Sequence, residues 1–360
     1  MRSTSLLRQA AAQAPSPDAY AKSLAYATDL VRRIDHEAIF ASHFYPGDVR
    51  PAYLALRALN AELAGLPDQV SNQLVGRMRF QWWKDAIKGL YDGKPPPHPL
   101  MTLLSSLPQR PFLSAYHFNR LISTRESNFL NPTFHTLQDL ADYSAGTQAS
   151  LLYLLLQATA ASSSSSSSGA AASLSIGGGG AGLRHSTPFQ HQGGEHEGAV
   201  DGVTTNGGGG TALKEADDLT LDHAASHLAV AVTIATLLRS IPHHAGRRTS
   251  VIPLDVASKH QLQEEALFRK GPEAEGLQDA VAQLAGIAQA ELRTARECFD
   301  GTTGLPKRAV PVFLAATPAR SYLDRLASPK VDYNPFDVTL AKRYWKLPFQ
   351  VWGDARNSRF

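Results

Sequence analysis

The chain has 360 residues, 43% hydrophobic and 19% charged, with a formal net charge of +3 and a pI near 8.9. This balance excludes a globally disordered chain, and the length allows one large domain or two ordinary ones. The basic surplus is small and no nucleic-acid-binding signature accompanies it, so no nucleic-acid partner is expected.

Residues 1–17 contain Arg2, Arg8, three serines and several alanines and leucines, with no acid before Asp18. That is the composition of a cleavable mitochondrial presequence, the alternative being a short disordered tail. The remainder, 18–360, reads as one domain of helical periodicity. Leu56, Leu59, Leu63 and Leu66 recur at three- and four-residue spacing, and Asn60 and Ala64 lie on an adjoining stripe. Further helices are predicted over 20–40, 69–90, 112–129 and 137–156, then over 219–241, 277–299 and roughly 311–326. Pro242 is expected to end the helix that begins at Leu219, because it has no amide hydrogen.

From 161 to 210 the composition changes abruptly, with Ser162 to Ser168 and two runs of four glycines. Such a segment buries too little apolar surface to offset its ordering entropy, so it reads as a disordered insertion. Its histidines His185, His191 and His196 lack the fixed geometry a metal site needs. Strand signals are almost absent, and Pro46, Pro95 to Pro97, Pro132, Pro253 and Pro306 mark joints. The expected fold class is all-α, a helical bundle. No run of ~18 uninterrupted apolar residues exists, and 151–161 is too short, so no transmembrane helix is expected. The single cysteine, Cys298, excludes an intramolecular disulfide framework and reads as a helix-packing residue.

Five segments in order carry a family likeness. They are Phe40 to Pro46 followed by Arg50; Leu56 to Ala64; Trp82 to Ala86 with Tyr91 to Pro95, His98 and Pro99; Tyr143 to Leu152; and Thr236 to Arg248 leading into Pro253. Together they resemble the squalene/phytoene synthase superfamily, which implies an isoprenoid-synthase-like bundle. Within it, Arg57 to Ala64, Thr147 to Tyr153, Asp222 to His227 and the junction at Pro242, His243 and His244 are similar to the mitochondrial complex I (NADH:ubiquinone oxidoreductase) assembly factor 6 group. That resemblance implies a matrix-side protein, peripheral to the inner membrane, whose partners are complex I subunits or other assembly factors.

In the synthases, Asp-x-x-x-Asp on two facing helices holds Mg²⁺ against a substrate diphosphate. The matching positions here read Asn60 and Ala64, then Ser240 and His244. Magnesium requires hard anionic oxygen, and imidazole suits softer metals. At an effective dielectric near ~20, each missing carboxylate removes attraction to a dication of order ~8 kcal/mol before desolvation. A pseudoenzyme without cofactor or catalytic residues is therefore expected. Glu62 should point away from the old metal site, and Glu126 keeps a family-like position.

The remaining basic residues Arg57, Arg239, Arg247 and Arg248, with Tyr143 and Gln148, form a candidate anionic-ligand pocket for a lipid or isoprenoid. The plainer readings are a stabilised helix C-terminus for Arg239 and solvated side chains for Arg247 and Arg248. His223 and His227 have i,i+4 ligand spacing but read as surface or cap histidines, and Trp82 and Trp83 as core packing. Two alternatives to an assembly factor stand: an active head-to-head prenyl-diphosphate transferase, and an inner-membrane lipid- or isoprenoid-binding protein.

Overall fold

The fold was obtained as a computed structural model, which describes residues 15–70, 72–167 and 216–360. Among the described residues every regular element is helical. The expected presequence falls almost wholly outside them, as does the Ser/Gly-rich insertion from residue 168 onward.

Helix α1 (Pro17–Ile34) starts where Ser16 accepts the Ala19 amide hydrogen and Pro17 occupies the first turn. It does not run on to residue 40 as the periodicity suggested. Asp35 leaves the helical region, and a separate α2 (His36–Ser42) follows. The break has a tertiary cause, because the Asp35 carboxylate turns inward onto Arg57 of α3 (Arg50–Gln69). Along α3 the leucine stripe Leu56, Leu59, Leu63 and Leu66 is buried, as its spacing required.

Helix α4 (Gln73–Tyr91) is capped by Asn72, and α5 (Pro99–Ser106) was not anticipated. Four of its eight residues, Leu100, Met101, Leu103 and Leu104, are buried, and a helix of two turns is too short to show a clear period. The Nδ1 atom of His98 accepts the Leu100 amide hydrogen at 3.2 Å and caps it. Trp83 is 4% exposed and packs edge-on against His98; Trp82 does the same but is 41% exposed, so only Trp83 is a core residue.

Helices α6 (Ala115–Leu130) and α7 (Leu137–Ser144) follow, α7 opened by a capping box between Thr136 and Asp139. The single helix expected over 137–156 is instead interrupted by a π-helical turn, Ala145–Ala149, before α8 (Ser150–Ser167). Gly146 permits this turn to lie against α6: a Cβ there would come within 2.1 Å of Thr124 Oγ1. Helix α8 also carries the chain through 161–167, so the first residues assigned to the insertion are helical.

Helix α9 (Asp218–Gly246) runs through the centre of the bundle and packs most extensively on α12 (Leu277–Glu297), after short helices α10 (Leu254–Lys259) and α11 (Glu264–Lys270). Among the described residues α9 alone is long and apolar enough to cross a membrane. Two thirds of its apolar window is buried by neighbouring helices, so here it is the central core helix. Pro242 does not end it. The missing hydrogen bond falls in the last turns, and the helix continues to Gly246.

The chain finishes with α13 (Val310–Phe313), α14 (Ala316–Leu326), α15 (Val338–Ala341) and α16 (Leu347–Asn357). Helices from both sides of residues 168–215 contribute to one continuous hydrophobic core.

Two consequences are testable. Gly146→Ala should destabilise the chain by about 1–3 kcal/mol in urea denaturation, because the methyl group meets Thr124. Burial lowers the His98 pKa below its ordinary value, against an opposing pull from Glu62. The unfolded histidine therefore takes up a proton first, and stability falls as pH drops below about 6.5. Protonation removes the acceptor that caps α5. His98→Asn keeps an acceptor that does not titrate, so it should lose less stability than wild type between pH 7.5 and pH 5. The difference should be about 1 kcal/mol or less for this partly exposed ring.

Candidate functional site: a charge-paired central cavity

A cavity of about 810 Å³ opens between the α1–α2 junction, α3, α6, the π-helical turn, α9 and the α13–α14 segment. Asn60 and Ala64 from α3, and Ser240 and His244 from α9, all line it. Helix periodicity explains this. Asn60 and Ala64 lie one turn apart beside the buried leucine stripe, as Ser240 and His244 do on α9. Part of the lining is apolar, with Leu63, Leu152, Leu155, Val232, Val312 and Val351.

Of the six residues expected to bind an anion, Arg57, Tyr143, Gln148, Arg239 and Arg247 line the cavity; Arg248 does not. Arg248 instead donates to the Glu265 carboxylate at 3.0 Å, outside the lining. The sequence could not show that each lining arginine among those six already has a carboxylate. Arg57 pairs with Asp35, Arg239 with Glu37 at 2.8 Å, and Arg247 with Asp68. Burial opposes the Arg57 charge, but the Asp35 carboxylate beside it more than compensates, so its pKa is raised.

The residue missed in the sequence is Arg125. Its Nη1 donates to the Tyr143 hydroxyl at 2.6 Å and its Nη2 to Asn60 Oδ1 at 3.0 Å. The guanidinium carbon lies 5.5 Å from the Tyr143 ring centre, and the buried Nε has no hydrogen-bond partner. Among the described residues Arg125 is the lining arginine without a carboxylate. No motif marks it; the only hint is that it sits one turn from Leu121 and Ile122 on the buried side of α6.

Other candidates lie elsewhere. Glu62 accepts from Tyr26 and does not line the cavity, as its helical angle required. Glu126 also faces away and holds Lys84 at 2.5 Å. His227 is buried, not a surface residue. Its Nδ1 lies 2.6 Å from Glu291 Oε2, and its Nε2 lies 3.1 Å from His223 Nε2. That chain of contacts requires His227 Nδ1 to donate to Glu291 when both rings are neutral. Half-buried Cys298 donates to the Thr294 carbonyl, and burial pushes its thiol pKa up.

Magnesium does not fit this donor set. Ala64 has no donor atom, Ser240 and Asn60 offer only neutral oxygens where magnesium favours anionic ones, and the Asn60 oxygen already accepts from Arg125. Burial, then the neighbouring His243, hold the His244 pKa below its usual value, so its ring is a neutral imidazole near pH 7. Among the described residues no three His, Cys, Asp or Glu side chains gather where they could hold a metal ion. Asp35, Glu37 and Asp68 are each committed to an arginine.

The profile of the squalene/phytoene synthase family matches residues 31–179 and 200–348. The chain belongs to the squalene/phytoene synthase family. It is 28% identical over 356 residues to mouse (Mus musculus) NADH dehydrogenase (ubiquinone) complex I, assembly factor 6, covering 99% of this chain and 88% of that protein. The human (Homo sapiens) protein of the same name is 27% identical, over 91% of this chain and 80% of its own length. The Dictyostelium discoideum homologue is 26% identical, over 84% of this chain and 68% of its own.

Two solved structures share the synthase fold. Squalene synthase HpnC from Alicyclobacillus acidocaldarius superposes with a TM-score of 0.63 at 15% identity, covering 89% of this chain and 98% of the other. A dehydrosqualene synthase gives 0.65 at 16% identity, with coverages of 94% and 97%. In this family member three of the four arginines that line the cavity are paired with carboxylates of the same chain.

An Asn60→Asp substitution tests that pairing. The new carboxylate should be captured by Arg125, raising stability at pH 7 by about 1 kcal/mol. Millimolar Mg²⁺ should leave the variant's melting temperature unchanged, whereas metal-dependent stabilisation would show that the introduced carboxylate remains available as a ligand.

Proposed function

We propose that the chain is a non-catalytic member of its family. In this reading it acts as an assembly factor for mitochondrial complex I, on the matrix side of the inner membrane. The observation that carries the non-catalytic reading is the cavity itself. Its four metal-motif positions offer an amide, a methyl, a hydroxyl and an imidazole, and three of its arginines already hold carboxylates. A diphosphate would have to displace those internal partners with no metal to share its charge. The assembly role is supported by mouse, human and Dictyostelium relatives bearing that name over most of this chain. The acid-poor, Arg- and Ser-containing 1–17 segment is consistent with import.

A second reading, that the cavity holds an amphiphile, is favoured by its apolar lining residues and by Arg125, the lining arginine free of a carboxylate among the described residues. Native mass spectrometry of the purified chain tests it. A lipid or isoprenoid adduct lost in Arg125→Met supports the reading, and an apo mass alone counts against it.

For the main proposal, purified chain incubated with farnesyl or geranylgeranyl diphosphate and Mg²⁺ should give no condensation product. A strain lacking the gene should lose assembled complex I on native gels, with rescue by wild type. The Glu126→Gln variant should rescue equally, since Glu126 holds Lys84 outside the cavity. Turnover of the diphosphate, or undiminished complex I in the deletion strain, would refute the proposal.

A further inference from the structure

The geometry points to a docking surface for an anionic phospholipid bilayer on the outward side of α16 and the turn before it. Trp345, Phe349 and Trp352 are 70%, 66% and 55% exposed. Phe349 and Trp352 are three residues apart on one face of α16, and Trp345, in the turn before it, lies with its ring centre 6.4 Å from that of Phe349. The opposite face buries Leu347 and Val351, and Val351 reaches the central cavity. The exposed aromatics therefore are not core side chains awaiting a neighbour within the bundle.

Their surroundings decide what covers them. Lys342, Arg343, Lys346, Arg356 and Arg359 are exposed on the same segment, and among the described residues none pairs with a carboxylate. Lys346 lies 5.4 Å from the Trp345 ring centre, and Arg356 lies 5.4 Å from that of Trp352. The one acidic side chain between 338 and 360, Asp354, turns inward to accept from Arg320 and Thr317, each at 2.7 Å. The outward face thus presents indole and phenyl rings inside a cationic rim, with no acidic side chain from its own segment.

Indoles sit at the boundary between headgroups and acyl chains, while lysine and arginine reach the phosphates beside them. A short helix of this kind lies in the plane of an anionic leaflet, held by apolar burial and by charge together. A protein partner would need its own ring of acids around an apolar socket, whereas an anionic leaflet supplies both everywhere. The inference rests on the inner-membrane placement proposed above only for which bilayer is met.

Flotation of the full chain with phosphatidylcholine vesicles, with and without phosphatidylglycerol, tests it. Wild type should float with the anionic vesicles, its tryptophan emission should shift to the blue, and added salt should weaken the association. The Trp345→Ser/Phe349→Ser/Trp352→Ser variant should lose at least tenfold in partition coefficient, with an unchanged thermal melt because these side chains are exposed. Lys346→Glu/Arg356→Glu, which leaves the rings in place, should lose a similar amount and supplies the test should the triple variant fold poorly.

Failure of wild type to bind anionic vesicles would overturn the inference. So would equal flotation of both variants, or a dimer in solution that the triple variant abolishes. A chain that does not float yet restores complex I sinks this surface alone. One that floats yet fails to restore complex I sinks the assembly proposal alone.

Discussion

The Asp35–Arg57 ion pair is the contact on which the arrangement of the first helices depends. Both side chains are largely withdrawn from water between the α1–α2 junction and α3, with Tyr45 and Tyr53 close to the guanidinium. A buried charge is tolerated only when paired, and removing one partner of such a pair typically costs about 3–5 kcal/mol. Reaching Arg57 requires Asp35 to leave helical geometry, so one interaction divides α1 from α2 and fixes their joint against α3. On α3 the leucine stripe enters the core while Asn60 and Ala64 face the cavity.

Where a helix's partners are spread evenly along one side, the sequence revealed it. The leucines of α3, the long apolar run of α9 and the alternating alanines and leucines of α12 each advertise a buried face. The breaks were not legible because their causes lie in distant residues. Asp35 is an ordinary helix residue until Arg57 is placed beside it. The π-helical turn at Ala145–Ala149 follows from the approach of Gly146 to Thr124 on another helix. Pro242 reads as a terminator, yet so near the end of α9 the missing amide hydrogen bond is tolerated.

The candidate site divides in the same way. Its positive residues were visible in the sequence, and the positions Asn60, Ala64, Ser240 and His244 were named through the family resemblance; helical intervals on α3 and α9 bring these four to one cavity. The pairing of its charges was not visible. Glu37 is 202 residues from Arg239 in sequence and 2.8 Å from it in space, and Asp68 reaches Arg247 from the far end of α3. Arg125 went unnoticed because its partners, Tyr143 and Asn60, are neutral and no motif connects the three.

This pairing sets the electrostatics of the chamber inside a synthase-fold bundle. Acids clustered across two helices repel one another, so a metal-binding chamber stores electrostatic strain that its cations relieve. Here each cavity acid is matched by an arginine encoded in the same chain, and Arg125 is stabilised by an amide, a hydroxyl and a π face. The three carboxylates that line the chamber are thus each balanced within the chain. Among the described surfaces, the face of α16 keeps large aromatic and cationic side chains in water, where folding alone gives no reason to place them.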